Sequence, residues 1–287
     1  MEKADQTTVL LFVFILSIYM LSLMGNFLII VIVLAELLLH TPMYFFLGKN
    51  SFLDIWYTSV TVPKLLANFL SRSIAITVNE CVTQYYFFLS LGATECFLLA
   101  VMAFDCYLAI CSPLRYTTIM NHRLCFHLSA SSWVGGFLSL LLPTILISQL
   151  SFCGPQKINH FFCDSDPIFK LSCSDIYLKE AIAYICSSVV ILSSFLIIRS
   201  SYINIIANIV KLTSAKAWKK PFSTCASHLT VVTIYYGTII FTYVSVFYCV
   251  ITPLLNPLIC EKMAIRKILP FNSKYQKILE MGGNVYR

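Results

Sequence analysis

Residues 9–34 read VLLFVFILSIYMLSLMGNFLIIVIVL, twenty-six positions without a charge. As a helix rising 1.5 Å per residue this stretch is ~39 Å long. It therefore exceeds the ~30 Å hydrocarbon core of a bilayer. It is about twice the length of a signal-peptide core, and no small-residue cleavage site follows it, so it reads as a retained first membrane span.

The rest of the chain repeats the pattern. Of 287 residues, 59% are hydrophobic and only 11% are charged, with a mean hydropathy of +0.82. A soluble domain needs roughly 25% charged residues to solvate its surface. Further apolar runs cover 43–69, 81–110, 124–147, 180–210, about 222–243 and about 244–260, followed by a short basic tail, 261–287. Seven spans in one domain, 1–287, predict an all-α seven-transmembrane helix bundle. Prolines 63, 143, 253 and 257 fall within or at the ends of these runs, where neighbouring helices satisfy the freed carbonyls.

The net charge of +7 forms no groove or stripe, so nucleic acid is not an expected partner. The bilayer is. With the N-terminus outside, thirteen Lys and Arg fall in cytoplasmic segments (Lys49, Arg115, Arg123, Lys211, Lys216, Lys219, Lys220 and six in the tail). Six fall outside, and the asymmetry sets the orientation. The chain holds no N-x-[ST] sequon.

The one long outer loop, 148–179, carries Cys153, Cys163 and Cys173, and Cys81 opens the third span on the same side. Four cysteines facing an oxidising compartment allow three connectivities.

Two ionisable residues lie deep in the spans, where they are functional candidates by default. Asp54 is ~17 Å above Met43 and Glu95 is ~15 Å above Asp105, by helical rise. Carboxylates at one depth share a proton or hold a hard cation such as sodium. The alternative is a neutral hydrogen-bonded cluster that joins helices. Asn26 and Asn256 reach a similar level. Asp105 stands at the cytoplasmic mouth of the third span, where hydration is expected. His160 lies three residues before Cys163, a spacing that suits copper or zinc only if the thiol is free. No HExxH, GxSxG or phosphate loop is present, so neither catalysis nor a cofactor is expected. No inverted repeat or pair of broken helices points to a transporter.

Five motifs carry a resemblance. Leu39-His40-Thr41-Pro42-Met43-Tyr44-Phe45-Phe46-Leu47 opens the second span, and Met102-Ala103-Phe104-Asp105-Cys106-Tyr107-Leu108-Ala109-Ile110-Cys111 closes the third. Ser201-Tyr202 ends the fifth. Lys220-Pro221-Phe222-Ser223-Thr224-Cys225-Ala226-Ser227-His228-Leu229 opens the sixth, and Pro253-Leu254-Leu255-Asn256-Pro257-Leu258-Ile259 lies in the seventh. Together they resemble the vertebrate odorant receptors, within the rhodopsin-like G-protein-coupled receptors.

The resemblance implies a multi-pass plasma-membrane receptor that binds a small volatile odorant and couples to a stimulatory heterotrimeric G protein, raising cyclic AMP. The implied ligand wall is Phe88, Leu89, Gly92 and Ala93 on span three, Cys186 and Val190 on span five, and Tyr236 and Ile239 on span six. The implied bridges are Cys81–Cys163 and Cys153–Cys173. Asp105, Cys106 and Tyr107 occupy the motif that faces the G protein.

Three departures lead the other way. Cys106 stands where the family has arginine, and Cys260 where NPxxY ends in tyrosine. Only thirty-nine residues, 222–260, are left for two spans that need ~20 each. The stretch Phe241–Val246 has no Gly, Pro or charge to make a connector. The sixth and seventh helices are thus expected to be shortened and their outer loop missing. The second reading is a receptor-derived membrane protein with impaired signalling, retained in the endoplasmic reticulum.

Overall fold

The computed structural model describes residues 2–71, 75–151, 157–159, 172–173, 176–211 and 219–251. Two compact units are distinguished, Met1–Cys225 and Ala226–Arg287.

In the first unit, α1 (Glu2–Ala35) leads through a short 3-10 turn, Leu37–Leu39, into α2 (Pro42–Ser71). Then follow β1 (Ala75–Thr77), α3 (Val78–Cys111), α4 (Pro113–Ile119), α5 (His122–Ser139), α6 (Leu141–Ser148), β2 (Lys157–Asn159) and α7 (Tyr177–Lys211). The last described helix, α8, runs from Lys219 to Ile251. The first four of its residues whose side chains are described, Cys225 to His228, straddle the boundary between the two units.

Among the described residues, four stretches are long and apolar enough to cross a membrane: Thr8–Ala35, Val78–Cys111, His122–Ser148 and Tyr177–Val210. Helix α2 is 30 residues long but carries Lys49, Asp54 and Lys64. Lys49 lies near the N-terminal end of α2, called inner together with the C-terminal end of α3 beside it, with its ammonium over the Phe45 ring, 5.4 Å from the centroid, a favourable cation–π position.

The ends of the helices follow from local chemistry. Thr77 caps α3: its hydroxyl accepts from the Glu80 N–H at 3.3 Å, and the Glu80 carboxylate accepts from the Thr77 N–H at 3.2 Å. This reciprocal pair satisfies two orphan donors of the first turn. Pro113 starts α4, where a missing N–H costs nothing. Asn121 caps α5 by accepting from the Leu124 N–H at 2.9 Å. The helix breaks at Leu140 because Pro143 has no N–H for the Ser139 carbonyl and its ring crowds that group.

Helix α3 is the centre of the first unit, packed against α2, α5, α6 and α7. Its core forms levels. Outermost are Ile76, Cys81, Tyr85, Ile147 and Leu150. Leu53, Leu91 and Leu98 come next, with Trp133 and Phe137 against them. Innermost are two clusters, Phe46–Leu108–Met120–Cys125 and Cys106–Ile110–Ile205–Cys225. Gly136 lets α5 approach α3 closely: a Cβ there would collide with the Thr94 hydroxyl and lie 2.9 Å from the Ser90 carbonyl. Small residues at a contact of this kind are how membrane helices gain packing without a hydrophobic drive between them.

Outside the helices, β1 and β2 pair antiparallel, Ala75 opposite Asn159 and Thr77 opposite Lys157. Nothing in the sequence pattern announced this contact between two loops.

The described part of the region assigned to the sixth and seventh spans, up to Ile251, is a single helix. The 33 residues of α8 run unbroken through Phe241–Val246, where the sequence lacks a connector. At ~50 Å this one helix is longer than a bilayer core is thick.

Candidate functional site

At the inner end of α3, the Tyr116 hydroxyl donates to Asp105 Oδ1 at 2.8 Å. Pro113 makes this contact, because it ends α3 and turns α4 back beside it. Asp105 is only 2% exposed, which corrects the expectation of a hydrated carboxylate: its solvent is a phenol. Desolvation first, then the Asp105 carboxylate, pushes the Tyr116 pKa far above the usual phenol range, so Tyr116 stays a donor at any physiological pH.

Cys106 points inward, buried with Ile110, Ile205 and Cys225. Tyr107 is half-buried and touches both inner clusters. The Tyr202 hydroxyl donates to the Cys225 carbonyl at 3.2 Å, holding the start of α8 to α7. Sequence reading missed Tyr116 and Cys225 as partners of the Asp105-Cys106 pair. For Tyr116, the one available signal was the Ser112-Pro113 break.

A cavity of about 420 Å³ lies beside this inner end, lined among others by Val33, His40, Phe45, Tyr116, Met120 and His122.

Midway along the bundle, Asp54 and Glu95 are near enough to act on one another electrostatically. Asn50 Nδ2 makes a long contact, 3.5 Å, with Asp54 Oδ2. The buried Asn50 Oδ1 has no hydrogen-bond partner. Asn26 donates to the Ser22 carbonyl of its own helix at 3.1 Å, so its amide is engaged elsewhere. Among the described residues no three His, Cys, Asp or Glu side chains come together as a metal site. Asn256 lies outside the described residues.

In the outer half, Phe88 packs on Tyr57 of α2, ring centroids 4.7 Å apart. Leu89 lies against the outermost core cluster. Ala93 and Val190 are buried, and Gly92 and Cys186 are half-buried. In the second unit Tyr236 is buried and Ile239 half-buried. An aromatic layer that sequence reading did not single out joins Trp56, Trp133 and Phe137, with Trp133 and Phe137 stacked at 6.1 Å.

Cys81 and Cys173 are each disulfide-bonded. Cys96, Cys106, Cys111, Cys125, Cys186 and Cys225 are thiols outside any disulfide. Cys153, His160, Cys163 and Cys260 lie outside the described residues.

The family model for olfactory receptors matches residues 15–264. The chain belongs to the olfactory receptor family. Olfactory receptor 11L1 of Homo sapiens is 49% identical over 280 residues, covering 91% of this chain and 87% of that protein. Olfactory receptor 11H4 of Homo sapiens is 46% identical over 281 residues, with the same coverage of each. Olfactory receptor 226 of Rattus norvegicus is 46% identical over 269 residues, covering 88% and 82%. This receptor is therefore a multi-pass membrane protein of the G-protein-coupled receptor class, and not an enzyme.

Proposed function

We propose that this receptor binds a small apolar volatile molecule in the outer half of its bundle and couples to a stimulatory G protein that raises cyclic AMP. Family membership across residues 15–264 is the observation that carries the reading. The wall proposed for the ligand is Phe88, Leu89, Gly92, Ala93, Cys186 and Val190, to which the resemblance adds Tyr236 and Ile239. These residues are mostly apolar, which suits a ligand held by shape and dispersion. We further propose Cys81–Cys163 and Cys153–Cys173 as the outer bridges, and an outside N-terminus at the plasma membrane. Asp54 and Glu95 are proposed as a sodium- or proton-sharing site.

A second reading, weak or absent signalling, is favoured by one observation: position 106 presents no cation and is buried against Cys225. A lost charge-assisted contact at the G-protein face removes about 1.5–3 kcal/mol, a large share of what a convincing switch requires. Cyclic-AMP measurements on surface-expressed chains, tagged at both ends and screened with an odorant panel, separate the readings. Little response, and little gain from Cys106→Arg unless a connector is inserted near Phe241–Val246, is the outcome expected of the second reading. A strong response from the unmodified chain, abolished by Ala93→Phe, restores the first.

A further inference from the structure

Two thiols from distant parts of the chain meet at the inner end of the first unit. Cys106 is on the last turns of α3, and Cys225 is in the second turn of α8. Each is 6% exposed, and both belong to one cluster closed by Ile110 and Ile205. Their side chains pack together inside that cluster. A third thiol, Cys111, lies near the mouth, accepting from Asn208 Nδ2 at 3.2 Å and donating to the Asn204 carbonyl at 3.7 Å. It is thus engaged with α7, whereas Cys106 and Cys225 face each other.

We propose that Cys106 and Cys225 form a redox-sensitive dithiol site that closes to a disulfide under peroxide and ties α3 to the start of α8. Hydrogen peroxide is small and neutral enough to reach a buried thiol. One thiol attacks the peroxide, becoming a sulfenic acid as one water leaves; the other thiol then attacks that sulfur, forming the S–S bond and releasing a second water. Two thiols and one peroxide thus give one disulfide and two waters, and a dithiol reductant reverses the change. While the bridge is closed, α3 and the start of α8 cannot separate at this level. The site needs no ligand, so it stands apart from the odorant reading.

The full chain in membranes is treated with hydrogen peroxide, remaining thiols are alkylated, and the protein is digested with chymotrypsin without reduction. Chymotrypsin cuts after Tyr107 and so separates Cys106 from Cys111. The expected product is a linked peptide pair containing Cys106 and Cys225, lost on adding dithiothreitol. Cys111→Ser should leave the pair intact. Cys106→Ser should abolish it and leave a Cys225 sulfenic acid that dimedone traps. Free, alkylated Cys106 and Cys225 after peroxide overturn the proposal, as does a Cys111–Cys225 link in the unmodified chain. The unmodified and Cys111→Ser chains decide the matter even if Cys106→Ser does not fold.

Discussion

Helices α1 and α3 are both 34 residues long, yet they use their apolar residues oppositely. The most apolar stretch of α1 has no buried residues, whereas half of the corresponding stretch of α3 is buried. The buried helix is the less apolar one: it holds Gln84, Ser90, Thr94 and Asp105 inside the protein. In a bilayer apolarity marks what faces lipid, and small or polar side chains mark where helices meet.

The comparison is broken most forcefully by truncating one leucine in each helix. Leu98 is fully buried, so Leu98→Ala should cost about 2–5 kcal/mol through the cavity it leaves. Leu28 is 57% exposed, and Leu28→Ala should leave the melting temperature nearly unchanged. Thermal melts in detergent or nanodiscs measure both.

The glycines give the next contrast. Gly136→Ala drives a methyl group into Thr94 and Ser90 of α3 and should cost about 3 kcal/mol. Gly25 has open space around it, so Gly25→Ala should gain up to ~1 kcal/mol from helix propensity. A loss at Gly25 would mean that α1 has a partner on that face.

Hydroxyl deletions come third. Tyr116→Phe leaves the buried Asp105 without its donor and should cost about 2 kcal/mol. Tyr19 of α1 shares a half-buried hydrogen bond with Ser59, 3.0 Å. Its loss in Tyr19→Phe should cost no more than ~1 kcal/mol. The smallest effect sharpens the middle of the bundle. If Asp54 and Glu95 hold sodium or share a proton, Asp54→Asn and Glu95→Gln should shift melting in a sodium- or pH-dependent way. Identical curves with and without sodium would leave only helix joining.

These contrasts also mark what the sequence could disclose. The run at 9–34 is legible because lipid-facing positions need only be apolar, and every residue reports the same solvent. The missing connector at 241–246 was legible for the same reason, since a turn between membrane helices needs residues that the stretch lacks. Interior contacts are another matter. Nothing local at Asp105 announces that Tyr116 will solvate it, because that depends on where Pro113 sends the chain. The meeting of Cys106 with Cys225 joins positions 119 apart (225 − 106) and has no periodic signature. The pairing of β1 with β2 rests on three residues from each of two loops. Of the candidate site, the motif positions were legible from resemblance, but the direction in which each side chain points was not.

The claim that α1 faces lipid while α3 faces protein can be tested by labelling from within the bilayer. A hydrophobic carbene precursor is dissolved in the membrane, photolysed and mapped by mass spectrometry on the folded chain. The account predicts label on Leu10, Phe14, Leu21, Met24 and Phe27, and none on Leu91, Leu98, Leu99 or Ala103. Equal labelling of α1 and α3 would contradict it.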